Sequence, residues 1–300
     1  MNAVAELAPA PWSYAEAFSR NRGLLSEADQ ARLRGATVAI AGCGGVGGGH
    51  ALTLARQGVG RFRLADPDTF SVANLNRQAA ATVSALGRNK AREVRRLILD
   101  INPEAEVELY ERGIDEDNVD AFLEGAGVAI DGIDFFNPAA RRLLMRRARA
   151  HGVWALIAGP LGFSTALVAF DPRGMSFDDY FDLRPGMTLE QQLIAFAVGL
   201  APSATHVRYL DLSGVRVQDG VAPSAGLACV MCNAVVAMEA IAVLLDRRPP
   251  RAAPAYSQFD LYRGVYRRGR LWFGNRGPLQ RLKRVLLERH LRKLGVVAKT

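Results

Sequence analysis

A glycine turn at residues 42–47, with the sequence GCGGVG, lies between an apolar run and a predicted helix. Its spacing places Gly42, Gly44 and Gly47 at the positions of a dinucleotide fingerprint. Glycines there allow a tight turn and let backbone N–H groups approach phosphate at the N-terminus of a helix. The turn alone suits an NAD-dependent enzyme as well as an ATP-dependent one.

The charged residues around this turn favour chemistry on the phosphates themselves. Asp66 follows the second apolar run, where an acid binds ribose hydroxyls in either class of enzyme, and Asp68 comes two residues later. Arg77 lies in a polar loop and Lys90 opens another helix. A guanidinium and an ammonium over a phosphate chain stabilise a charged phosphoryl transition state, whereas hydride transfer needs neither. Asp134 follows a predicted parallel strand, where a carboxylate facing triphosphate is a natural Mg²⁺ ligand.

The elements that position these residues alternate between strand and helix patterns over the first 170 residues. Strands are predicted at 37–41, 61–65, 107–110, 128–130, 153–157 and 164–170, and helices at 50–57, 89–100, 118–123 and 139–150. This alternation predicts an α/β, Rossmann-like fold: a mostly parallel sheet with helices on both faces. The strand at 164–170 is expected to run antiparallel at the far side.

The second half of the chain has a weaker pattern. Residues 171–225 are predicted to be irregular, and 227–245 a buried helix that is apolar nearly all round. A hairpin-like strand pair is predicted at 256–265 and 270–273, followed by a basic amphipathic helix at 279–294. We therefore expect a helical lead-in at 1–35, a main α/β domain at 36–250 with a crossover region at 171–225, and a basic tail at 251–300.

Charge and cysteine content indicate the cellular compartment in which the protein is expected and the partners that it could bind. From residue 263 onward there are twelve Lys or Arg and one acid, whereas the preceding 262 residues hold three more acids than bases. The tail could therefore meet RNA, an acidic partner or a membrane surface, or dock on its own domain. The three cysteines give no disulfide framework, and residues 1–11 have no basic n-region, so we expect a cytoplasmic protein. No integral membrane association is expected.

The combined motifs resemble the adenylation domain of the ThiF/MoeB/HesA-type family, the bacterial relatives of ubiquitin-activating enzymes. The resemblance covers about 18–245 and is strongest to stand-alone bacterial ThiF-like proteins. It implies a homodimer that binds ATP and Mg²⁺, adenylates a carboxylate and releases pyrophosphate. Within it, Arg77 and Lys90 would stabilise the α-phosphate under attack, and Asp134 would ligate the metal. Arg20 would enter the neighbouring protomer's site, with Arg22 as its rival.

The resemblance also implies the residues that hold the nucleotide. Asp66 would bind the ribose, and the glycine turn would cradle the phosphates together with the polar loop after the second strand. These phosphate-binding and neighbouring positions are Gly42, Gly44, Gly45, Gly47, Asp68, Asn74, Asn76 and Gln78.

The sequence departs from the family pattern at its cysteines. MoeB-like members often bind zinc through two C-x-x-C pairs, whereas only Cys229 and Cys232 form such a pair here, so we interpret them as core residues. No cysteine lies in 171–225, and Cys43 lies within the glycine turn. A thioester step is therefore not expected. His206, in the crossover region, is either a base for an incoming amine or a structural residue.

The sequence therefore predicts an adenylyltransferase acting on a peptide, a small carrier protein or a small acid. An alternative with the same core is a dehydratase that modifies threonylcarbamoyladenosine in tRNA, to which a basic tail would be suited. A second alternative is a non-catalytic nucleotide-binding partner of a biosynthetic enzyme. An NAD oxidoreductase fits least well.

Overall fold

A single eight-stranded sheet organises the chain, which the computed structural model describes over residues 11–216 and 219–296. The strands are β1 Thr37–Ala41, β2 Arg61–Ala65, β3 Glu106–Tyr110, β4 Val128–Asp131, β5 Trp154–Leu161, β6 Ser164–Phe170, β7 Ala255–Asp260 and β8 Val265–Arg270. The α-helices are α1 Tyr14–Ala17, α2 Glu27–Gly35, α3 Gly47–Arg56, α4 Lys90–Ile101, α5 Val119–Leu123, α6 Pro138–Ala150, α7 Phe177–Phe181, α8 Leu189–Leu200, α9 Gly226–Leu244 and α10 Pro278–Lys293.

The strand order is β3-β2-β1-β4-β5-β6-β7-β8. Strands β1 to β5 pair in parallel, and β6, β7 and β8 are added antiparallel beyond β5. The predicted α/β class is confirmed, including the antiparallel far side. Because the order reverses between β1 and β4, their carboxyl ends border a crevice of the kind in which open α/β sheets bind ligands.

Alternate residues of β1 face two separate cores. Val38 and Ile40 pack in the core that contains α3, α4 and α9, whereas Ala39 and Ala41 face the core that contains α5, α6 and α8. A strand buried on both faces reads as a continuous apolar run, which is why TVAIA could be assigned from the sequence.

Residues 171–225 are not irregular as predicted, because they contain α7 and α8. Each helix begins at a hydroxyl N-cap: Ser176 accepts the N–H of Asp179, and Thr188 forms a capping box with Gln191. Of the Pro and Gly residues that suggested loops, Pro172 and Gly174 precede α7, and Pro185 and Gly186 lie between α7 and α8. Asp178, within α7, forms an ion pair of 2.7 Å with Arg142 of α6, which anchors the crossover region to the sheet-covering helices.

The predicted hairpin after residue 250 exists, but its turn was placed too late. The two strands β7 and β8 are joined through 261–264, and β7 pairs with β6, so this part of the chain lengthens the same sheet. Helix α10 then packs on α8 and buries Gln280 and Leu291, which confirms that the basic helix is docked on its parent fold. The proposed division into three regions stays a prediction.

Helix α9 is 19 residues long with a mean hydropathy of 2.2, long and apolar enough to cross a membrane by composition. Half of that stretch is buried within the fold, where it packs on β5 and α3. The expectation of burial all round is wrong for one face, on which Leu227, Val230 and Met238 are exposed.

Candidate active site

A cavity of about 580 Å³ opens where β1, β2 and β4 end, with the glycine turn at its edge. Nine of the residues predicted to contact the nucleotide or the metal line it: Gly42, Gly44, Gly45, Asp66, Asp68, Arg77, Gln78, Lys90 and Asp134. Parallel strands bring their carboxyl ends to one edge of a sheet, so residues spread over more than ninety positions meet here. The cavity has the size of a small-molecule site.

The glycine turn requires its glycines for two different reasons. Gly42 has φ 87°, a left-handed conformation that residues with a Cβ rarely adopt. Gly47 begins α3 and does not line the cavity; a Cβ there would lie 1.7 Å from the carbonyl oxygen of Gly42. Gly47 therefore allows helix α3 to start directly against the turn, with its N-terminus beside the cavity.

The Asp66 carboxylate accepts backbone hydrogen bonds from the glycine turn and from the loop after β2. Its Oδ2 accepts the backbone N–H of Cys43 at 2.6 Å, and its Oδ1 accepts the N–H of Asp68 at 2.9 Å. Burial raises the pKa of Asp66, and these two donors together with the nearby Lys90 partly oppose that rise. The structure thus gives Asp66 a role in shaping the turn, and its contact with ribose stays a prediction.

Lys90 is held in the cavity wall by Asp68. Its side chain is 9% exposed, and Nζ lies 2.9 Å from Oδ2 of Asp68. Asn89, the N-cap of α4, donates to the carbonyl oxygens of Asp66 and Asp68 and so ties the loop after β2 to this helix. The ammonium is therefore pre-positioned at the start of α4, on the same cavity as the glycine turn.

The polar loop after β2 aims one cation at the glycine turn. Arg77 donates from Nη1 to the carbonyl of Ala73 at 2.8 Å and to Oδ1 of Asn76 at 2.9 Å, and its Nε lies 3.9 Å from a Cβ built on Gly45. Asn76 also donates to the carbonyl of Ser224 at 3.0 Å, just before α9. The amide of Asn76 therefore orients the Arg77 guanidinium.

The side chains of Asn74 and Asn76 do not line the cavity. Asn74 instead accepts the N–H of Ser71 at 3.0 Å and caps the short turn that begins the loop. Both amides are used to fold the loop, and their predicted contact with phosphate is not tested by this arrangement. Gln78, by contrast, lies beside Gly44 on the cavity wall.

Asp134 is exposed at the mouth of the crevice after β4. Its Oδ1 accepts the N–H of Phe136 at 2.8 Å, which fixes the carboxylate. Mg²⁺ is commonly bound by one or two carboxylates plus phosphate oxygens, and the exposed Asp134 carboxylate, on the same cavity as the glycine turn, fits that pattern. In the described residues there is no group of three or more His, Cys, Asp or Glu side chains that could bind a metal by itself.

A buried ion pair beneath Asp134 was not found from the sequence. Asp131, the last residue of β4, pairs with Nε of Arg141 at 2.6 Å, and their side chains are 1% and 4% exposed. Arg141 also donates to the carbonyls of Ile133 and Asp134, and its guanidinium lies 4.3 Å over the ring of Phe196. The available signal was a charged residue in the first turns of a helix, ten positions after a strand-terminal Asp.

Comparison with known proteins assigns the family of this site. A family model described as "ThiF family" matches residues 18–274. The chain belongs to the ThiF family.

Curated relatives share the ThiF-type sequence over part of their length. The chain is 39% identical over 118 residues to the tRNA threonylcarbamoyladenosine dehydratase of Bacillus subtilis (strain 168), covering 39% of this chain and 46% of that protein. It is 34% identical over 159 residues to the probable adenylyltransferase/sulfurtransferase MoeZ of Mycobacterium tuberculosis (strain H37Rv), covering 52% and 40%. The chain spans less than half the length of the curated relatives it matches.

Two solved structures share the fold of this ThiF-family chain. PaaA superposes with a TM-score of 0.64 at 17% identity, covering 90% of this chain and 78% of that one. MccB of E. coli, crystallised with AMPCPP and MccA, superposes with a TM-score of 0.63 at 17% identity, covering 88% and 74%. At this identity the likeness concerns the fold.

The three cysteines of this ThiF-family chain are free and buried. Burial raises the pKa of the thiols of Cys43, Cys229 and Cys232. Cys232 packs against the Thr165 hydroxyl at 3.4 Å, as expected of a core residue. The thiolate is the nucleophile and the metal ligand, so none of these thiols is poised for either role at neutral pH.

His206 and the two lead-in arginines occupy different surroundings. His206 lines the cavity and accepts a hydrogen bond from Gln258 at 3.3 Å, in the tautomer protonated at Nε2, and burial lowers its pKa to about 4. Arg20 is exposed in a single 3-10 turn at Ser19–Asn21 and does not line the cavity of its own protomer. Arg22 lies at a separate surface cleft with α2. The choice between Arg20 and Arg22 stays a prediction.

Proposed function

We propose that this ThiF-family protein is a cytoplasmic, ATP- and Mg²⁺-dependent adenylyltransferase that activates a carboxylate as an acyl-adenylate. The observation that carries the proposal is the convergence of Arg77, Lys90 and Asp134 on one cavity with the glycine turn. Glycines alone would suit any nucleotide, whereas two cations and a carboxylate around a phosphate loop suit a phosphoryl centre. The carboxylate belongs to a peptide, a small carrier protein or a small acid.

In the proposed reaction, a carboxylate oxygen attacks the α-phosphorus of ATP. The bond from that phosphorus to the bridging oxygen breaks, its electron pair leaves with pyrophosphate, and no proton has to be moved. Arg77 and Lys90 balance the charge that develops on the α-phosphoryl oxygens, and Asp134 is the residue that would hold Mg²⁺. The metal supplies charge neutralisation of the triphosphate when bound. Catalysis is otherwise positioning and electrostatics.

The product is released or captured without a thiol hand-off. Residues 171–225 contain no cysteine, and the thiol of Cys43 is buried in the glycine turn. The acyl-adenylate, a mixed anhydride, is therefore the species that an acceptor nucleophile would attack.

A homodimer is the proposed assembly, with Arg20 entering the partner's cavity. The exposed position of Arg20 on the 3-10 turn, away from its own cavity, supports this arrangement. The exposed apolar face of α9 also supports association through a second copy. Light scattering would test the dimer, and mixing Arg20→Ala with Lys90→Ala chains would test sharing, because heterodimers would regain one complete site.

ATP–pyrophosphate exchange tests the reaction. Exchange should require the correct carboxylate, and Arg77→Ala and Lys90→Ala should each lower its rate by about a hundredfold or more. Arg95→Ala is the matched control, because Arg95 is exposed on the same helix as Lys90. A fully active Arg77→Ala/Lys90→Ala double variant would refute the assigned roles. Binding of NAD without ATP would refute the proposal itself.

A second candidate is an RNA-modifying dehydratase that activates the carboxylate of threonylcarbamoyladenosine. The 39% identity to the B. subtilis dehydratase favours it, as do the exposed cations Arg281, Arg289 and Lys293 on α10. Copurifying tRNA whose binding weakens steeply with salt would support it. A non-catalytic nucleotide-binding partner is the third candidate, and measured ATP turnover would exclude it.

A further inference from the structure

The cavity continues past the phosphate-binding residues into an apolar chamber. Its aliphatic walls come from the end of β5, from α8, from the segment after α8 and from α10: Leu161, Leu193, Ile194, Leu212, Leu287 and Leu291. None of the sequence motifs pointed to it, because these residues are spread over 131 positions and four elements.

The α10 wall of this chamber is fixed in place. Leu291 is 9% exposed and forms a small hydrophobic cluster with Ile194, with Leu212 and Leu287 packed against it. Polar contacts hold the helix beside this cluster: Lys283 donates to the carbonyl of Pro202 at 2.6 Å. Gln280 also donates to the carbonyl of Val198 at 3.2 Å, so α10 is held against the end of α8 and the chamber is a formed pocket of the fold rather than an opening left by a loose helix.

We infer that this apolar chamber binds an aliphatic or aromatic group attached directly to the carboxylate that is adenylated. The inference rests on the proposed function, because it takes the phosphate-binding end of the same cavity as the nucleotide half. A carboxylate placed near Arg77, Lys90 and Asp134 would project its substituent between α8 and α10. Transfer of an apolar substituent from water into the chamber is favourable in proportion to the apolar surface area that becomes buried.

A charged substituent would be disfavoured in the chamber. A carboxylate against Leu193, Leu287 and Leu291 would lose its hydration without gaining a partner, and an ammonium would exchange its hydration for the single carboxylate of Glu190 on this wall. The polar members of the wall are Glu190 and His206, of which His206 is buried, has a pKa lowered to about 4, and is therefore neutral at pH 7. A neutral imidazole accommodates an apolar neighbour more readily than it compensates a charge.

Acyl-sulfamoyl adenosines, which mimic acyl-adenylates, test the inference by calorimetry on the full chain. The probes are N-acetyl-leucyl, octanoyl, N-acetyl-aspartyl and N-acetyl-lysyl derivatives, with unacylated sulfamoyl adenosine as the reference for the nucleotide half. Leucyl or octanoyl probes should bind about tenfold to hundredfold more tightly than the aspartyl and lysyl probes. A preference for leucyl over octanoyl would assign the group to a peptide carboxyl terminus, and the reverse to a free acid.

Variants of α10 locate the preference in the chamber. Leu291→Asp should remove the preference for apolar probes and leave the affinity for unacylated sulfamoyl adenosine unchanged, which also reports that the fold is intact. Leu287→Gln, at a half-buried position, is a milder second variant expected to reduce the preference at least threefold. Leu286→Asp is the matched control, because Leu286 is 54% exposed on the same helix, and it should retain the full preference.

The outcomes distinguish a failure of this inference from a failure of the proposed adenylation. Tighter binding of the aspartyl or lysyl probe, or a preference unaffected by Leu291→Asp and Leu287→Gln, would overturn the apolar chamber and leave adenylation standing. Acylated probes that all bind no better than the unacylated reference would overturn both.

Discussion

Removing Arg141 should destabilise the protein far more than removing Arg142, its neighbour in helix α6. The Asp131–Arg141 pair is almost completely buried, with side chains 1% and 4% exposed, so Arg141→Met leaves an uncompensated buried carboxylate. Breaking such a pair costs about 3–5 kcal/mol. Arg142 pairs with Asp178, and their side chains are 28% and 45% exposed, so Arg142→Met should cost about 1 kcal/mol or less.

Urea unfolding followed by circular dichroism at pH 7 measures both losses. Adding Asp131→Asn to Arg141→Met should recover most of the stability, because the charge is removed while the acceptor for the Ile133 N–H at 2.9 Å is kept. Burial raises the pKa of Asp131, and Arg141 opposes that rise. In Arg141→Met the pKa therefore stays above its unfolded value, and protonation at falling pH relieves the buried charge.

The difference in the free energy of unfolding between wild type and Arg141→Met should accordingly become smaller as the pH falls from 7 towards 4. Loss of Arg141 also frees the carbonyls of Ile133 and Asp134, so Asp134 should be held less well and adenylation should slow even in the stabilised double variant. The reasoning is refuted if Arg141→Met costs no more than Arg142→Met, or if Asp131→Asn recovers none of the loss.

Two further predictions concern the glycine turn and the cavity histidine. Gly47→Ala should lower the free energy of unfolding in urea by about 3 kcal/mol or more, because the new Cβ would lie 1.7 Å from the carbonyl oxygen of Gly42. The control Gly214→Ala, with open space around it, should leave that free energy nearly unchanged. Equal effects of the two substitutions would contradict the packing argument. His206 has a pKa lowered to about 4 by burial, so the unfolded chain takes up its proton first and stability should fall by up to about 3 kcal/mol between pH 6.5 and 4. His206→Gln should flatten that pH dependence relative to wild type, whereas His290→Gln, at an exposed position, should leave it unchanged.

The half of the site around the glycine turn was predictable because its determinants are local. The TVAIA strand, the Gly42 turn and the N-terminus of α3 follow one another directly, and their residue types restrict the backbone over a few positions. Asp66 and Lys90 were found for the same reason, since each stands at an element boundary that the hydrophobic pattern marks. The sequence also indicated the family that the comparisons confirm.

The uses of individual polar groups were less predictable. The resemblance assigns Asn74 and Asn76 to phosphate, which stays a prediction; the structure shows that their amides also fold the loop through hydrogen bonds with Ser71, Arg77 and the carbonyl of Ser224. An Asn carries donors and acceptors that any nearby backbone group satisfies equally well, so its residue type does not select a partner.

The sequence by itself determined the order of strands and helices over the first 170 residues, the glycine turn and the cations around it. Only the tertiary structure decided that α8 and α10 close an apolar chamber, that Asp131 pairs with Arg141, and that 255–270 extends the sheet. The physical reason is that hydrophobic period and capping act over three or four residues, whereas these contacts depend on side-chain packing between distant segments. Lys283 and Pro202, for example, are 81 positions apart in sequence.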